Sequence, residues 1–377
     1  DLKLVNNTTE NSIDTNYLKI MIDSDTPISY STLSDGVIKS NLTLNPSEEV
    51  VIDVRLWLDE STPNSQIGKI FDGKLVVEGE GSEYVSPSKK TLKKLGLTSN
   101  GEMNSVTDVA TTNEGIYETQ DDYGTTYFFR GAADNNYVEF AGYYWRVVRI
   151  NGDGSIRMIY DGTSAHANGE RSSDRQIGTS RFNATYGDNA YVGYMMGIDN
   201  QCTSGSCEGT TNTTSYEQAT TNTYNSTIKT YIDSWYETNI EEAGYSDKVA
   251  DVIYCNDREV DEDLSQTMGG NGIYGFGNNV TAYGPSGRVN AEDGFGGAQT
   301  NQIKMICSQK NDSFTVDDTT KGNGALTYPV GLITVDEVIA AGGYTYNFPS
   351  NYNYYLYTGS SYWTMSPSDF LYGYAGE

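Results

Sequence analysis

Residues that could carry catalytic chemistry are few in this chain of 377 residues. A Ser-His-Asp triad would have to use His166, because it is the one histidine in the sequence. His166 sits in a polar loop, residues 164–169, where a solvent-exposed side chain is the favoured interpretation. The sequence contains no HExxH, phosphate-loop or GxSxG motif. We therefore predict that the protein is not an enzyme and has no catalytic or cofactor-binding residues.

The four cysteines fall into two sets. Cys202 and Cys207 lie in a short loop that a disulfide could close, and Cys255 and Cys307 are the remaining pair. An even number of cysteines, one histidine and no CxxC spacing favour disulfides over a zinc site. We predict both disulfides, which are typical of an extracellular protein.

Carboxylates cluster at three places in the sequence, at residues 121–122, 257–263 and 312–318. Extracellular Ca²⁺ sites use such oxygens, but none of the clusters has the EF-hand spacing. We interpret the clusters as solvated surface, with Ca²⁺ binding as the alternative, and predict no metal site. A glycosidase also needs two carboxylates, yet they are so abundant here that their presence selects nothing.

The composition limits the possible partners. A net charge of −27 repels nucleic acid and anionic membranes, and the sequence has no apolar run long enough to span a bilayer. No signal peptide is visible, and the strand-like start at Asp1 is interpreted as a mature or trimmed form. We expect a secreted or surface-attached protein that neither binds nucleic acid nor inserts into membranes.

Residues 1–85 are predicted to form a small β-sandwich. Alternating apolar residues and turn-forming Pro, Gly, Asn and Asp residues divide this region into short strands. The predicted strands are residues 2–5, 18–22, 41–44, 50–58 and 74–78.

Residues 86–115 are predicted to connect two domains. A helix over residues 87–97 carries Lys89, Lys90, Lys93 and Lys94, and a Thr-, Asn- and Ser-rich linker follows at residues 98–115. The lysines either face solvent or form a docking point for an acidic neighbour.

Residues 116–377 are predicted to form an α+β domain. Two strands, residues 143–150 and 155–160, flank Asn151-Gly152-Asp153-Gly154, a sequence that favours a tight hairpin. A helix is expected from the Ser226 cap to about residue 242, and another at residues 334–341 before a glycine pair. The other expectations are a glycine-rich loop at residues 269–297 and strands at residues 354–357 and 362–367.

The second domain resembles a group of poorly characterised secreted surface proteins of Gram-positive gut bacteria. The matching segments are residues 123–131 (YGTTYFFRG), 144–157 (YWRVVRINGDGSIR), 255–258 (CNDR), 328–338 (YPVGLITVDEV) and 362–368 (YWTMSPS). The resemblance implies a C-type-lectin-like fold, shared with formylglycine-generating proteins, in which Trp235-Tyr236 is the helical aromatic pair. It also implies another hairpin and a closing strand after Ser368, so either the domain is trimmed or a strand from a neighbouring molecule completes it. Formylglycine-generating activity needs reactive cysteines, whereas all four cysteines here have expected partners.

The first domain resembles the β-sandwich of camelysin and biofilm-fibre proteins. The matching segments are residues 40–46 (SNLTLNP), 55–64 (RLWLDESTPN) and 73–77 (GKLVV). The resemblance implies polymerisation into extracellular fibres, in which each subunit passes a terminal strand to the next.

Together these observations predict a secreted structural subunit of an extracellular filament or surface appendage. Self-association into a homopolymer would use strand donation and aromatic-rich interfaces, because exposed sheet edges need partners. The candidate donor strand is Leu2, Lys3, Leu4 and Val5. The alternative function is a cell-surface adhesin that binds glycans or host proteins through the lectin-like domain, using part of its 31 tyrosines.

Overall fold

The computed structural model describes residues 1–43, 50–77, 85–199, 207–209, 212–290, 300–343, 349–371 and 374–376. The chain divides into two compact units, residues 1–84 (unit 1) and 85–377 (unit 2). Both units are built mainly from β-strands in small, mostly antiparallel sheets. In the part of the chain described by the structure, no helix has the length and apolar character needed to cross a membrane.

The described residues of unit 1 form two three-stranded sheets. The first sheet has the order β4-β1-β6, and the second has the order β3-β2-β5. The strands are β1 (Leu2–Asn6), β2 (Leu18–Ile22), β3 (Ile28–Ser29), β4 (Val37–Lys39), β5 (Val54–Leu58) and β6 (Gly73–Val77).

Both sheets contribute to one apolar cluster in unit 1. Leu4 of β1, Ile38 of β4 and Ile20 of β2 are buried together, with Tyr30 and Phe71 packed against them. The Tyr30 hydroxyl donates a hydrogen bond to the carbonyl oxygen of Leu4 at 2.6 Å, which satisfies both polar groups beside the apolar cluster.

Four of the five predicted unit 1 strands are present, and the fifth is not seen. Residues 41–43 form no strand, and Leu44 lies outside the described residues. The strand predicted over residues 50–58 begins at Val54, where pairing with Ile22 begins. Glu78, the last residue of the predicted strand 74–78, also lies outside the described residues.

The main sheet of unit 2 has five strands, with the order β11-β10-β8-β7 and with β9 also paired to β10. Its strands are β7 (Asn113–Asp121), β8 (Gly124–Gly131), β9 (Tyr137–Phe140), β10 (Tyr143–Ile150) and β11 (Ile156–Gly162). The β10–β11 hairpin is confirmed, with Ile150 opposite Ile156. The Gly154 amide donates to the Asn151 carbonyl oxygen at 2.8 Å, and Gly154 has a φ of 89°, which favours glycine.

Shorter strands and five α-helices complete the part of unit 2 that the structure describes. The remaining strands are β12 (Thr185–Tyr186), β13 (Met195–Met196), β14 (Cys207–Glu208), β15 (Tyr224–Asn225), β16 (Tyr254–Cys255), β17 (Val260–Asp261), β18 (Thr281–Tyr283), β19 (Ser313–Phe314), β20 (Asp369–Leu371) and β21 (Tyr374–Gly376). The helices of the described residues are α1 (Pro87–Lys94), α2 (Tyr216–Thr220), α3 (Thr227–Tyr236), α4 (Glu262–Thr267) and α5 (Val335–Ala340). The pairs are β12–β14, β13–β15 and β16–β19, and the four-stranded sheet has the order β17-β18-β20-β21.

Side-chain caps explain where the two predicted helices of unit 2 begin. The Ser226 hydroxyl accepts a hydrogen bond from the Lys229 amide at the start of α3, which continues into a π-helical turn, Glu237–Glu241. Thr334 and Glu337 form a reciprocal capping box at the start of α5. Gly342 follows α5 with a φ of 103°, as the predicted glycine cap requires.

The segment predicted to be a linker packs on unit 2. Within residues 98–115, Val106 and Ala110 are buried, and a Cβ at Gly131 would lie 1.8 Å from the carbonyl oxygen of Thr112. The predicted basic helix corresponds to α1, whose Leu92 enters the core of unit 2.

Two other predictions for unit 2 are wrong. Residues 354–357 and 362–367 do not form strands, although Tyr355 and Met365 are buried in the core. The glycine-rich segment 269–297 is not one continuous loop, because it contains β18 and the π-helical residues Ser286–Asn290.

Candidate functional site

The edges formed by β5 and β6, which lie opposite the edge strands β3 and β4 in the two sheets of unit 1, are the first candidate site. Strand β5 pairs with β2 on one side, and β6 pairs with β1, while the opposite side of each has no partner strand among the described residues. Unpaired amide and carbonyl groups on such an edge can pair with a strand from another chain.

Apolar side chains on these strands are unusually exposed. Leu58 and Trp57 of β5 are exposed, and on β6 Leu75 is 56% and Val77 is 80% exposed. A strand added to either edge would therefore bury apolar area as well as complete backbone hydrogen bonds. Both interactions favour association with another β-strand.

The candidate donor strand is already paired within the single chain. Strand β1, which contains Leu2, Lys3, Leu4 and Val5, lies between β4 and β6 at the centre of its sheet. Leu4 is buried in the unit 1 core, and Lys3 forms an ion pair with Asp35. Donation of β1 to a neighbour would first require breaking its pairing with both strands.

The predicted disulfide between Cys255 and Cys307 is present. Cys255 is on β16, and Cys307 lies in the segment before β19, so the bond links two segments separated by 52 positions. The predicted bond between Cys202 and Cys207 lies outside the described residues, because Cys202 is not among them.

A buried ionic cluster joins the main sheet of unit 2 to α5. The Glu337 carboxylate forms ion pairs with the guanidinium groups of Arg149 and Arg157, with nitrogen–oxygen distances of 2.9 and 2.7 Å. The Arg149 guanidinium also pairs with the Asp121 carboxylate at 2.7 Å. Burial opposes ionisation of Glu337, but the two guanidinium groups outweigh it and lower the pKa of this carboxyl.

The geometry of this ionic cluster fits a role in holding the fold together and not a role in binding a substrate. The adjoining cavity, lined by Asp122 and Lys304 among others, has a volume of about 20 Å³. That volume holds about one water molecule and leaves no room for a substrate. The charged groups satisfy one another instead of facing an open cleft.

His166 does not lie in solvent as the sequence suggested. It is 3% exposed, with Nδ1 2.9 Å from the carbonyl oxygen of Asp161 and Nε2 3.0 Å from the carboxylate of Asp174. The Arg146 guanidinium donates a hydrogen bond to the His166 carbonyl oxygen at 2.7 Å. Packing around this loop, which its polar sequence did not indicate, explains the difference.

The acidic clusters are also less solvated than expected. Asp121, Asp257 and Asp312 are buried, and each pairs with an arginine: Arg149, Arg288 and Arg258 respectively. Within the residues that the structure describes, no group of three or more His, Cys, Asp or Glu side chains could hold a metal ion.

A second candidate site is a shallow groove along one face of α3. Its cavity volume is about 790 Å³, and it continues onto Asp199, Ser180 and β15. The helix contributes Thr227, Thr230, Tyr231, Ser234 and Trp235, and the π-helical turn after it contributes Thr238. These positions are three or four residues apart and so share one helix face.

The opposite face of α3 fixes the helix in unit 2. Ile228 and Ile232 are buried in an apolar cluster, and Lys229 pairs with Asp233 one turn later. Burial raises the pKa of Asp233, whereas its ion pair with Lys229 acts in the opposite direction. This inner face gives the groove a fixed wall.

Sequence reasoning identified neither the edges nor the groove as sites. It identified β5, β6 and α3 as elements, but it assigned no binding role to their side chains. The spacing of Tyr231 and Trp235, four positions apart on a predicted helix, was a signal for an aromatic face. Comparisons with protein-family models, curated proteins and solved structures find no match for this chain.

Proposed function

We propose that the protein is a structural subunit of an extracellular filament or surface appendage, assembled through the open strand edges of unit 1. The observation that carries this proposal is the combination of unpaired edges and exposed apolar side chains on β5 and β6. The Cys255–Cys307 disulfide is compatible with an extracellular location.

The proposal includes a fold assignment for each of the two units. Unit 1 is a β-sandwich related to the camelysin and biofilm-fibre proteins, and unit 2 is an α+β, C-type-lectin-like domain. The shared core of the two unit 1 sheets supports the first assignment. The β10–β11 hairpin, α3 and the main sheet support the second.

The assembly step is addition of a strand from a second copy to β5 or β6. This route leaves β1 in its own sheet and so avoids the cost of breaking two ladders before a new one forms. Donation of β1 is the alternative route, and it would need the sheet of unit 1 to open first.

Lysine substitutions at the edges test the proposal in the full chain. Leu58→Lys and Val77→Lys place charges where an incoming strand would pack on β5 and β6 respectively, so we expect each to block assembly at its own edge and the double variant to prevent assembly. Sedimentation velocity and negative-stain microscopy would follow particle size. The matched control is Ile273→Lys, at an exposed apolar position in unit 2, which should assemble like the wild type.

Wild-type protein that remains monomeric over a wide concentration range would overturn the proposal. Assembly by Leu58→Lys and Val77→Lys at wild-type levels would exclude these edges as the interface.

A disulfide lock distinguishes the two routes of assembly. Val5 of β1 lies opposite Lys74 of β6, so Val5→Cys with Lys74→Cys can hold the donor strand in its own sheet. We expect the oxidised double variant to assemble as well as the reduced one. Loss of assembly on oxidation alone would establish strand donation by β1 instead.

A further inference from the structure

The groove along α3 has an unusual combination of aromatic rings and neutral polar groups. Tyr224 and Tyr231 on its walls are 41% and 38% exposed, and Trp235, which packs against rings of the main sheet, is half-buried. Hydroxyl and amide groups fill the rest of the surface, from Thr230, Ser234, Thr238 and Asn225 among others.

Two of the three aromatic rings, Trp235 and Tyr231, are held in place by contacts within unit 2. Trp235 packs against Tyr143, Trp145 and Tyr160, with ring centroids 5.6–6.2 Å apart. The Tyr231 hydroxyl donates to the carbonyl oxygen of Ile177 at 3.3 Å. A fixed ring loses little conformational freedom when a ligand stacks on it, so these rings suit binding.

Charge narrows the chemical class of ligand. Asp199 is the charged residue among the described lining residues, and no lysine or arginine lies with it. The whole chain also carries a net charge of −27. Phosphates, sulfates, sialic acids and nucleic acids would therefore be repelled, because binding them depends on positive groups.

The hydroxyl and amide groups that line the groove limit further the chemical class of ligand that it can bind. The Thr230 and Ser234 hydroxyls donate to carbonyl oxygens of their own helix, so each can still accept a hydrogen bond from a ligand. A purely apolar ligand would displace water from these acceptors without replacing its hydrogen bonds, which costs free energy. A saccharide presents C–H faces that pack on aromatic rings and hydroxyls that exchange hydrogen bonds with side chains. From Thr227 to Thr238 the helix extends over roughly 16 Å, which suits a short chain of sugars better than one sugar.

We propose that the α3 groove binds a neutral oligosaccharide, with Tyr224 and Tyr231 as stacking platforms. Asp199 and the hydroxyls of α3 accept hydrogen bonds from the sugar hydroxyls and so orient the sugar. This site gives the protein an adhesive function beyond assembly, and it uses residues of unit 2 alone.

Gly178 positions Tyr231. Its φ is +150°, and a Cβ there would come within 1.9 Å of the Tyr231 hydroxyl oxygen. Gly178→Ala should therefore displace the ring while leaving its chemistry unchanged. We expect weaker glycan binding from this variant, with the ring still present.

A glycan array of neutral and sialylated oligosaccharides, probed with the full chain, is the first measurement. We expect binding to one or more neutral glycans, and the strongest binder would then be titrated by calorimetry. Tyr231→Ala and Tyr224→Ala should each weaken binding roughly tenfold through loss of an aromatic contact. Tyr352→Ala, an exposed tyrosine outside the groove, is the matched control and should bind like the wild type.

The results that overturn the inference are distinct from those that test assembly. The titrations use the double variant Leu58→Lys, Val77→Lys as well, so binding is measured whether or not the subunits associate. Binding to sialylated glycans alone, or to none on the array, would reject the neutral-glycan site. Equal affinities of Tyr231→Ala, Tyr224→Ala and Tyr352→Ala would place any glycan binding outside this groove.

Discussion

Unit 1 and unit 2 differ in how completely each buries its apolar side chains. In unit 1 the buried cluster centres on Leu4, Ile20 and Ile38, while Leu58 and Val77 on the edge strands face outward. Unit 2 has several buried clusters, and its main sheet has apolar residues covered by α1 and α5. A small unit buries a smaller share of its surface, so association can add to its stability.

The two units also differ in where they hold their charges. The Arg55–Asp53 pair of unit 1 is exposed, whereas Arg149–Asp121 and Arg258–Asp312 of unit 2 are buried. Exposed pairs contribute little to stability, but a buried pair that loses one partner leaves an uncompensated charge. We therefore expect the loss of one partner to cost more stability in these two pairs of unit 2 than in the exposed pair of unit 1.

The largest effect should follow from removing the charge of Glu337 in unit 2. Glu337→Gln leaves Arg157 and Arg149 buried with less negative charge, so we expect a loss of about 3–5 kcal/mol in the free energy of unfolding. Urea unfolding, followed by hydrogen exchange of unit 2 peptides, measures this loss. Glu139→Gln, at an exposed position on β9, is the matched control and should change little.

The same substitution predicts a pH dependence. Because the pKa of Glu337 is lower in the folded protein than its usual 4.5, the ionised carboxylate stabilises the fold above that pH. This contribution disappears as the pH falls through the folded-state pKa. The difference in stability between wild type and Glu337→Gln should therefore be largest at neutral pH and shrink in acid. A difference that stays constant from neutral pH into acid would contradict this assignment.

A somewhat smaller effect should follow from removing the disulfide of unit 2. The double variant Cys255→Ala, Cys307→Ala releases a loop with a sequence separation of 52, so we expect a loss of about 2–4 kcal/mol. Hydrogen exchange in unit 2 peptides around β16 and β19 should increase, with unit 1 peptides as the internal reference. Unchanged protection at β16 and β19 would mean that their ladder, rather than the covalent bond, holds these segments together.

The contrast between the units also explains which features the sequence could predict. Local signals performed well: Asn151-Gly152-Asp153-Gly154 predicted the hairpin, and Ser226 and Thr334 predicted helix starts that the structure confirms. These features depend on neighbouring residues, so a short window of sequence contains the information. The predicted strands 18–22 and 74–78 were also found nearly in place.

Features that depend on distant residues were missed. Glu337 is 188 positions from Arg149, so no local pattern indicates that this carboxylate is buried between arginines. His166 was misplaced for a similar reason, because its loop is held by hydrogen bonds from Tyr137 and Arg146, which lie 29 and 20 positions earlier in the sequence. Tyr355 and Met365 lie in segments whose aromatic and apolar residues predict strands, yet the structure buries both side chains in irregular backbone. The open edges could not be foreseen, since they depend on which strands pair.

The smallest change in stability should come from a substitution at the edge of unit 1, at Leu58, whose side chain is already exposed. At concentrations where the wild type is monomeric, Leu58→Lys should change the stability of unit 1 by no more than about 0.5 kcal/mol, because the side chain is already exposed. Ile20→Ala, in the buried cluster, should cost about 2–5 kcal/mol by comparison.

At higher concentrations, hydrogen exchange should slow in β5 of the wild type but not in Leu58→Lys, because association protects only an edge that can accept a strand. Equal hydrogen exchange in both proteins at every concentration would mean that β5 accepts no strand from another copy.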